Sequence, residues 1–157
     1  FGSQLAAQLG MTYSFASHFA PQMLESAAAM YRTEFTPSED LPKPHFIAAA
    51  NVVVADTEER AQEMWDSAKR ARIRTMLGRG RKLTDDDVDQ LLHSPPGQQV
   101  LQMLEMTAVG TPDTVRDWLD EFASRVNADE LIITNIAGPL EDRKRALQLM
   151  SDHIIHR

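Results

Sequence analysis

Apolar positions along this chain recur with a helical period, then run unbroken, then recur again, and each change of pattern marks an element. In SQLAAQLG at 3–10, Leu5 and Leu9 stand four residues apart among alanines, the spacing of one helix face. Gly10 follows at the point where a left-handed residue closes a helix. The chain thus opens within a helix that no turn or strand precedes, which predicts a piece of a larger protein whose shared sites are incomplete here. The next stretch, MTYSFASHF at 11–19, is short and aromatic, and predicts a strand over 11–18. Pro21 suits the first turn of a helix to about Glu34, with Leu24, Ala27, Ala28 and Tyr31 on one face. Phe35–Pro44 is proline-rich and reads as a loop. His45–Ala55 is a nearly unbroken apolar run with a β-branched end, the pattern of a strand buried on both faces in a parallel sheet.

Beyond it, Asp56 is placed to cap a helix with Glu59 reaching back, and Ala61, Met64, Trp65 and Ala68 give that helix its face as far as Leu77-Gly78. Residues 78–83 read as a loop. Thr84 is placed to cap a short acidic helix, and Ser94-Pro95 to start another through about Glu105. Val109-Gly110-Thr111-Pro112 reads as a turn into a helix capped by Thr111, with Pro112 in its first position, that buries Val115, Leu119, Phe122 and Ala123. Glu130–Asn135 predicts a strand and Leu140–Ile154 a closing helix. Strands separated by helices imply right-handed crossovers and an α/β chain of parallel strands. Three strands are too few for a comfortable sheet of that kind, which again predicts part of a larger fold.

Composition narrows the function. With 157 residues, 43% apolar and 25% charged, the chain has the means for one ordinary core. A net charge of −7 argues against nucleic acid, whose phosphates demand a local excess of cations. The absence of cysteine excludes disulfides, iron–sulfur clusters, thiolate zinc and cysteine nucleophiles. No apolar run approaches the roughly 18 residues of a membrane span. A soluble, cytoplasmic protein without membrane contact is the expectation.

Candidate chemistry is sparse. Gly2 and Ser3 stand at a helix start, where free N–H groups suit a phosphate and where serine is also an ordinary cap. His18 falls at the end of the first strand, as a pocket wall or a proton-transfer group. His45, His93, His153 and His156 form no ligand pattern, so no metal is expected. Residues 69–82 hold seven of the sixteen basic residues, and Asp85, Asp86, Asp87 and Asp89 follow. That run is either a helix end compensated by the next helix or part of a mobile lid, for which 66–108 is the candidate segment. Met64, Met76, Met103 and Met106 fill a core or line an apolar pocket.

Five segments in order carry a resemblance: SQLAAQLG at 3–10, YSFASHFAP at 13–21, NVVVADTEERA at 51–61, VGTPDTVRDWLDEF at 109–122 and ADELIITN at 128–135. Together they resemble the C-terminal half of the bacterial luciferase-like, flavin-dependent monooxygenase family. The resemblance implies the last strands and outer helices of a (β/α)8 barrel, whose site lies at the C-terminal ends of the strands. It implies reduced FMN, or less readily a deazaflavin, with dioxygen and a small organic substrate such as an aldehyde or alkane. It makes Gly2 and Ser3 the remnant of the flavin-phosphate turn, and it places the family's active-site histidine in the missing half. The chain by itself is then expected to be inactive. The runner-up is a flavin-free half-barrel serving binding or assembly. Either way, the missing N-terminal half or self-association is expected to cover a bare sheet edge, the side chains of Tyr13 and Phe15, and parts of Phe46 and Val52.

Overall fold

The computed structural model describes residues 1–17, 21–136 and 138–155, so His18 and His156 lie outside the described residues. In chain order come α1 (Gly2–Gln8), β1 (Tyr13–Phe15), a 3-10 turn (Pro21–Met23), α2 (Leu24–Glu34) and β2 (Phe46–Val54). There follow α3 (Glu58–Leu77), α4 (Asp85–Leu92), α5 (Pro95–Gln102) and β3 (Thr107–Gly110). The chain continues with α6 (Pro112–Val126), β4 (Glu130–Asn135), α7 (Leu140–Met150) and a π turn (Ser151–Ile155). These elements fall into two compact units, one of Phe1–Ala50 with Asp117–Thr134, the other of Asn51–Arg116 with the chain from Asn135 onward.

In the first unit, β1 pairs parallel with the start of β2, Tyr13 opposite Phe46 and Phe15 opposite Ala48. The strand starts are set by two polar side chains. Tyr31 of α2 is fully buried, and its hydroxyl donates to the Met11 carbonyl at 2.8 Å and accepts the His45 N–H at 3.0 Å. Its ring lies 5.4 Å from that of Tyr13 and 6.3 Å from that of Phe46, so the hydroxyl is anchored by aromatic packing. Asp129, just before β4, accepts the Phe46 N–H at 2.7 Å and pairs with Arg32 at 2.7 Å, while its own N–H donates to the Phe46 carbonyl at 2.9 Å. The proline-rich loop is likewise pinned: Thr36 N–H donates to Ala7 O at 2.9 Å and Ser38 Oγ to Gly10 O at 2.9 Å. Gly10 must be glycine there, since φ is +61° and an added Cβ would come within 2.7 Å of Thr36 O.

In the second unit, the end of β2 pairs parallel with β3, Asn51 opposite Thr107 and Val54 opposite Gly110. On the remaining edge Ile136 N–H donates to Val52 O at 3.2 Å. Val53, Ala55, Ala61 and Met64 form a buried cluster with Trp65, Val109 and Ile136 against it. A second cluster joins Ile73 of α3 to Leu83, Val88 of α4 and Val100 of α5. Thr84 and Asp87 make a reciprocal capping box for α4, and Ser94 caps α5 through the Gly97 N–H. The C-terminal end of α3 is compensated by α4: Arg70 pairs with Asp85 and Asp89, and Arg74 with Asp85.

The α/β class, the parallel pairing and the strands at 45–54 and 130–135 agree with expectation. Several details differ. The first strand is only Tyr13–Phe15, and Val109-Gly110, expected in a turn, instead end the strand β3. The cap of α3 is Thr57, which accepts the Arg60 N–H at 3.2 Å, and not Asp56. Asp56 instead holds the Arg145 guanidinium of α7, with one contact at 3.0 Å. Phe46 and Val52 are fully buried and not bare, and Phe46 lies against the rings of Tyr13 and Tyr31 at 5.8 and 6.3 Å. Among the described residues no helix is long and apolar enough to cross a membrane.

Two outcomes follow for the first unit. Tyr31→Phe leaves the His45 N–H and the Met11 carbonyl without their partner and should cost about 1–3 kcal/mol by urea denaturation; a loss below about 0.5 kcal/mol would contradict this role. Burial works to raise the Asp129 pKa, but the Phe46 N–H and Arg32 outweigh it and hold the carboxyl below the ordinary range. A depressed carboxylate stabilises the fold above its unfolded pKa and loses that contribution as pH falls through the folded value. The stability gap between the parent and Asp129→Asn should therefore be constant above about pH 5 and close below about pH 4, read from denaturation midpoints.

Candidate functional site

The residues singled out at the chain start come together with others in one cleft of the first unit. Strand alternation puts Tyr13 and Phe15 on one side of β1 and leaves Ser14 exposed on the other. Facing them are Phe1, Gly2 and Ser3 from the start of α1, with Met23, Ser26, Ala27 and Met30 from α2 and the turn before it. The enclosed space is about 320 Å³. An added Cβ at Gly2 would enter it 3.8 Å from Tyr13 Cε2, so the missing side chain leaves the backbone open to a ligand.

Ser3 is not the cap of α1. Phe1 holds that position without a side-chain bond, and Ser3 is turned inward at 5% exposure, with Oγ 3.5 Å from Met30 Sδ. The same hydroxyl reaches the phenol of Tyr13. Burial pushes that phenol's pKa up, and the Ser3 hydrogen bond draws it part of the way back. None of the lining side chains carries a formal charge, and the walls are aromatic rings and thioethers. Such walls fit a flat aromatic ring, and the Ser3, Tyr13 and Ser26 hydroxyls can meet a few polar atoms. A phosphate would rest on hydroxyls and backbone N–H groups with no cation from this cleft.

In the second unit the strand ends carry a feature that residue-by-residue reading missed. Gly110 closes β3 at φ +152°, where an added Cβ would lie 2.8 Å from Glu58 Oε2. That close approach lets Glu58 accept from Thr114 Oγ1 at 2.5 Å, Thr111 N–H at 3.1 Å and Thr111 Oγ1 at 2.9 Å. The Thr114 hydroxyl first, then the Thr111 N–H and hydroxyl, hold the Glu58 carboxyl below the ordinary range. The arrangement caps the first turn of α6 with a carboxylate from α3, a structural use of an acid at a helix start. The signal was present in GTPDT, where a glycine precedes two hydroxyls at capping spacing.

Other candidates are dispersed. Met64 is core, Met76 is exposed, and Met103 and Met106 are half-buried, so the methionines line no common cleft among the described residues. His45 Nε2 lies 3.1 Å from Glu130 Oε2. Among the described residues no group of three or more metal-ligating side chains converges.

No family model matches the chain. It is 32% identical over 97% of its length to a luciferase-like monooxygenase of Escherichia coli K12, of which it covers 46%. Its backbone resembles apo-MsnO8 with a TM-score of 0.78 and 30% identity, over 96% of this chain and 47% of that one. It also resembles the oxygenating constituent of 3,6-diketocamphane monooxygenase from Pseudomonas putida, solved in complex with FMN, with a TM-score of 0.57 and 15% identity. That likeness covers 97% of this chain and 44% of the other, and at that identity it speaks for the fold alone. The chain spans about half the length of the relatives it matches.

The Ser3–Tyr13 contact gives the cleft a titration signature. With tyrosine labelled by 13C, the Tyr13 resonance should titrate above the ordinary phenol range, and Ser3→Ala should move it higher still. A midpoint unchanged or lowered in Ser3→Ala would mean that the hydroxyl does not reach the phenol.

Proposed function

We propose that this chain, which belongs to the luciferase-like monooxygenases, forms part of an enzyme that uses reduced FMN and dioxygen to oxidise a small organic substrate such as an aldehyde or alkane. The observation that carries the reading is the match along 97% of the chain to a luciferase-like monooxygenase. The cleft at Gly2 and Ser3 supports it, because its aromatic and thioether walls suit a flavin-sized ring. FMN is put before a deazaflavin, as the family resemblance of the five segments implies.

In this reading Gly2 leaves the backbone free for close approach, and the Ser3 hydroxyl with that of Tyr13 meets a polar atom of the cofactor. Phe1, Phe15, Met23 and Met30 keep water from the ring. When bound, reduced flavin supplies the electrons that activate dioxygen; the protein positions and shields it. His18 is proposed as a further pocket residue, and 66–108 as a lid or insertion segment of the barrel. The rest of such a barrel is proposed to come from further polypeptide or a second copy.

Equilibrium titrations with oxidised and anaerobically reduced FMN, on the chain and on any longer polypeptide containing it, test the reading. Saturable binding is expected of the longer polypeptide and not of the chain alone, weakened there about tenfold or more by Gly2→Val with the circular dichroism unchanged, as for loss of about 1.4 kcal/mol. No saturable binding by the longer polypeptide in either redox state would reject it and favour a flavin-free binding module.

A further inference from the structure

The basic run at 69–82 is resolved by helix geometry, and one of its members is left over. Residues at i and i+4 share a helix face. Arg70 and Arg74 accordingly meet Asp85 and Asp89 of α4 together, and Lys69 reaches back to Asp66 at 2.7 Å. Arg79, Arg81 and Lys82 are exposed in the loop beyond the helix. Arg72 points elsewhere. It is partly buried, and no carboxylate among the described residues pairs with it, although four aspartates follow within the next turns of chain.

Arg72 lies on the α3 stripe of Ser67, Ala68, Ala71 and Thr75, the spacing of a single face. Together with Leu104 and with Ile136 and Gly138 beyond β4, that stripe encloses a cleft of about 380 Å³ within the second unit. Ser67 makes no hydrogen bond among the described residues, and the Thr75 hydroxyl donates to Ala71 O at 3.0 Å while its oxygen remains free to accept. An added Cβ at Gly138 would meet nothing within 4 Å, so that side is open to entry.

A partly buried arginine with no carboxylate paired to it among the described residues can take an anion from outside. We propose that this cleft binds a small organic carboxylate with an apolar body, the carboxylate held by Arg72 with the Ser67 hydroxyl donating to it. The walls decide between anion classes. Ala68, Ala71, Leu104 and Ile136 offer apolar surface on most sides, which suits an alkyl or aryl acid. A phosphate, more strongly charged and with no apolar body, would leave those walls unused and would call for a second cation. The inference goes beyond the flavin reading and does not depend on it, since no cofactor takes part.

Amide chemical-shift titrations of the chain with hexanoate, hexan-1-ol and inorganic phosphate test it without flavin. Hexanoate should bind saturably, shift the amides of 67–75, Leu104 and Ile136, and bind at least tenfold more weakly to Arg72→Met. Arg72→Lys should recover part of the affinity, and Ser67→Ala should lose a smaller factor. Hexan-1-ol should bind more weakly than hexanoate to the parent and equally to Arg72→Met. The melting temperature of Arg72→Met should match the parent, because the methionine keeps the aliphatic stem. Equal binding of acid and alcohol, tighter binding of phosphate, or no saturable binding at millimolar hexanoate would each overturn the proposal.

Discussion

Strand β2 is buried along almost its whole length, so none of its backbone N–H and C=O groups can be left to water. This one requirement shapes what surrounds it. Its first half is bonded to β1 through Tyr13 N–H and to the β4 side through Asp129, and its second half to β3 and Ile136. A slip of one residue would turn Phe46 away from the Tyr13 and Tyr31 rings and reverse every other side chain. Tyr31 and Asp129 prevent that slip at its origin, by holding the N–H groups of His45 and Phe46 with a buried hydroxyl and an ion-paired carboxylate. Both devices sit at the N-terminal end of β2.

Much of this was legible in the residues. The run FIAAANVVV has no polar alternation, and only a strand covered on both faces fits such a pattern. ELIITN was equally plain. β3 escaped because four residues next to a glycine–proline turn are too short to show a period, and their partner lies more than fifty positions away. Asp56 and Thr57 are both good capping residues, and the choice between them was made by Arg145, far along the chain. Local sequence cannot contain that information.

The same division holds for the sites. Gly2 and Ser3 were recognisable from their place at a helix start, yet Ser3 turned inward toward Met30 and Tyr13, contacts that depend on tertiary packing. Arg72 was visible only as one of several basic residues. The helical period separates it from Arg70 and Arg74, but the cleft it faces needs Leu104 and Ile136, which only the fold brings to that stripe. The GTPDT segment shows the converse case, in which glycine and hydroxyl spacing already announced a cap and the structure added the carboxylate of Glu58.

If β2 is the element on which the rest depends, its amides should be the last to open. Native-state hydrogen exchange across low concentrations of denaturant measures this directly. Amides of residues 47–54 should exchange only through global unfolding, with a denaturant dependence equal to the equilibrium m-value. Exchange of those amides through a smaller opening, with a shallow denaturant dependence while α1 or α4 stays protected, would contradict the account.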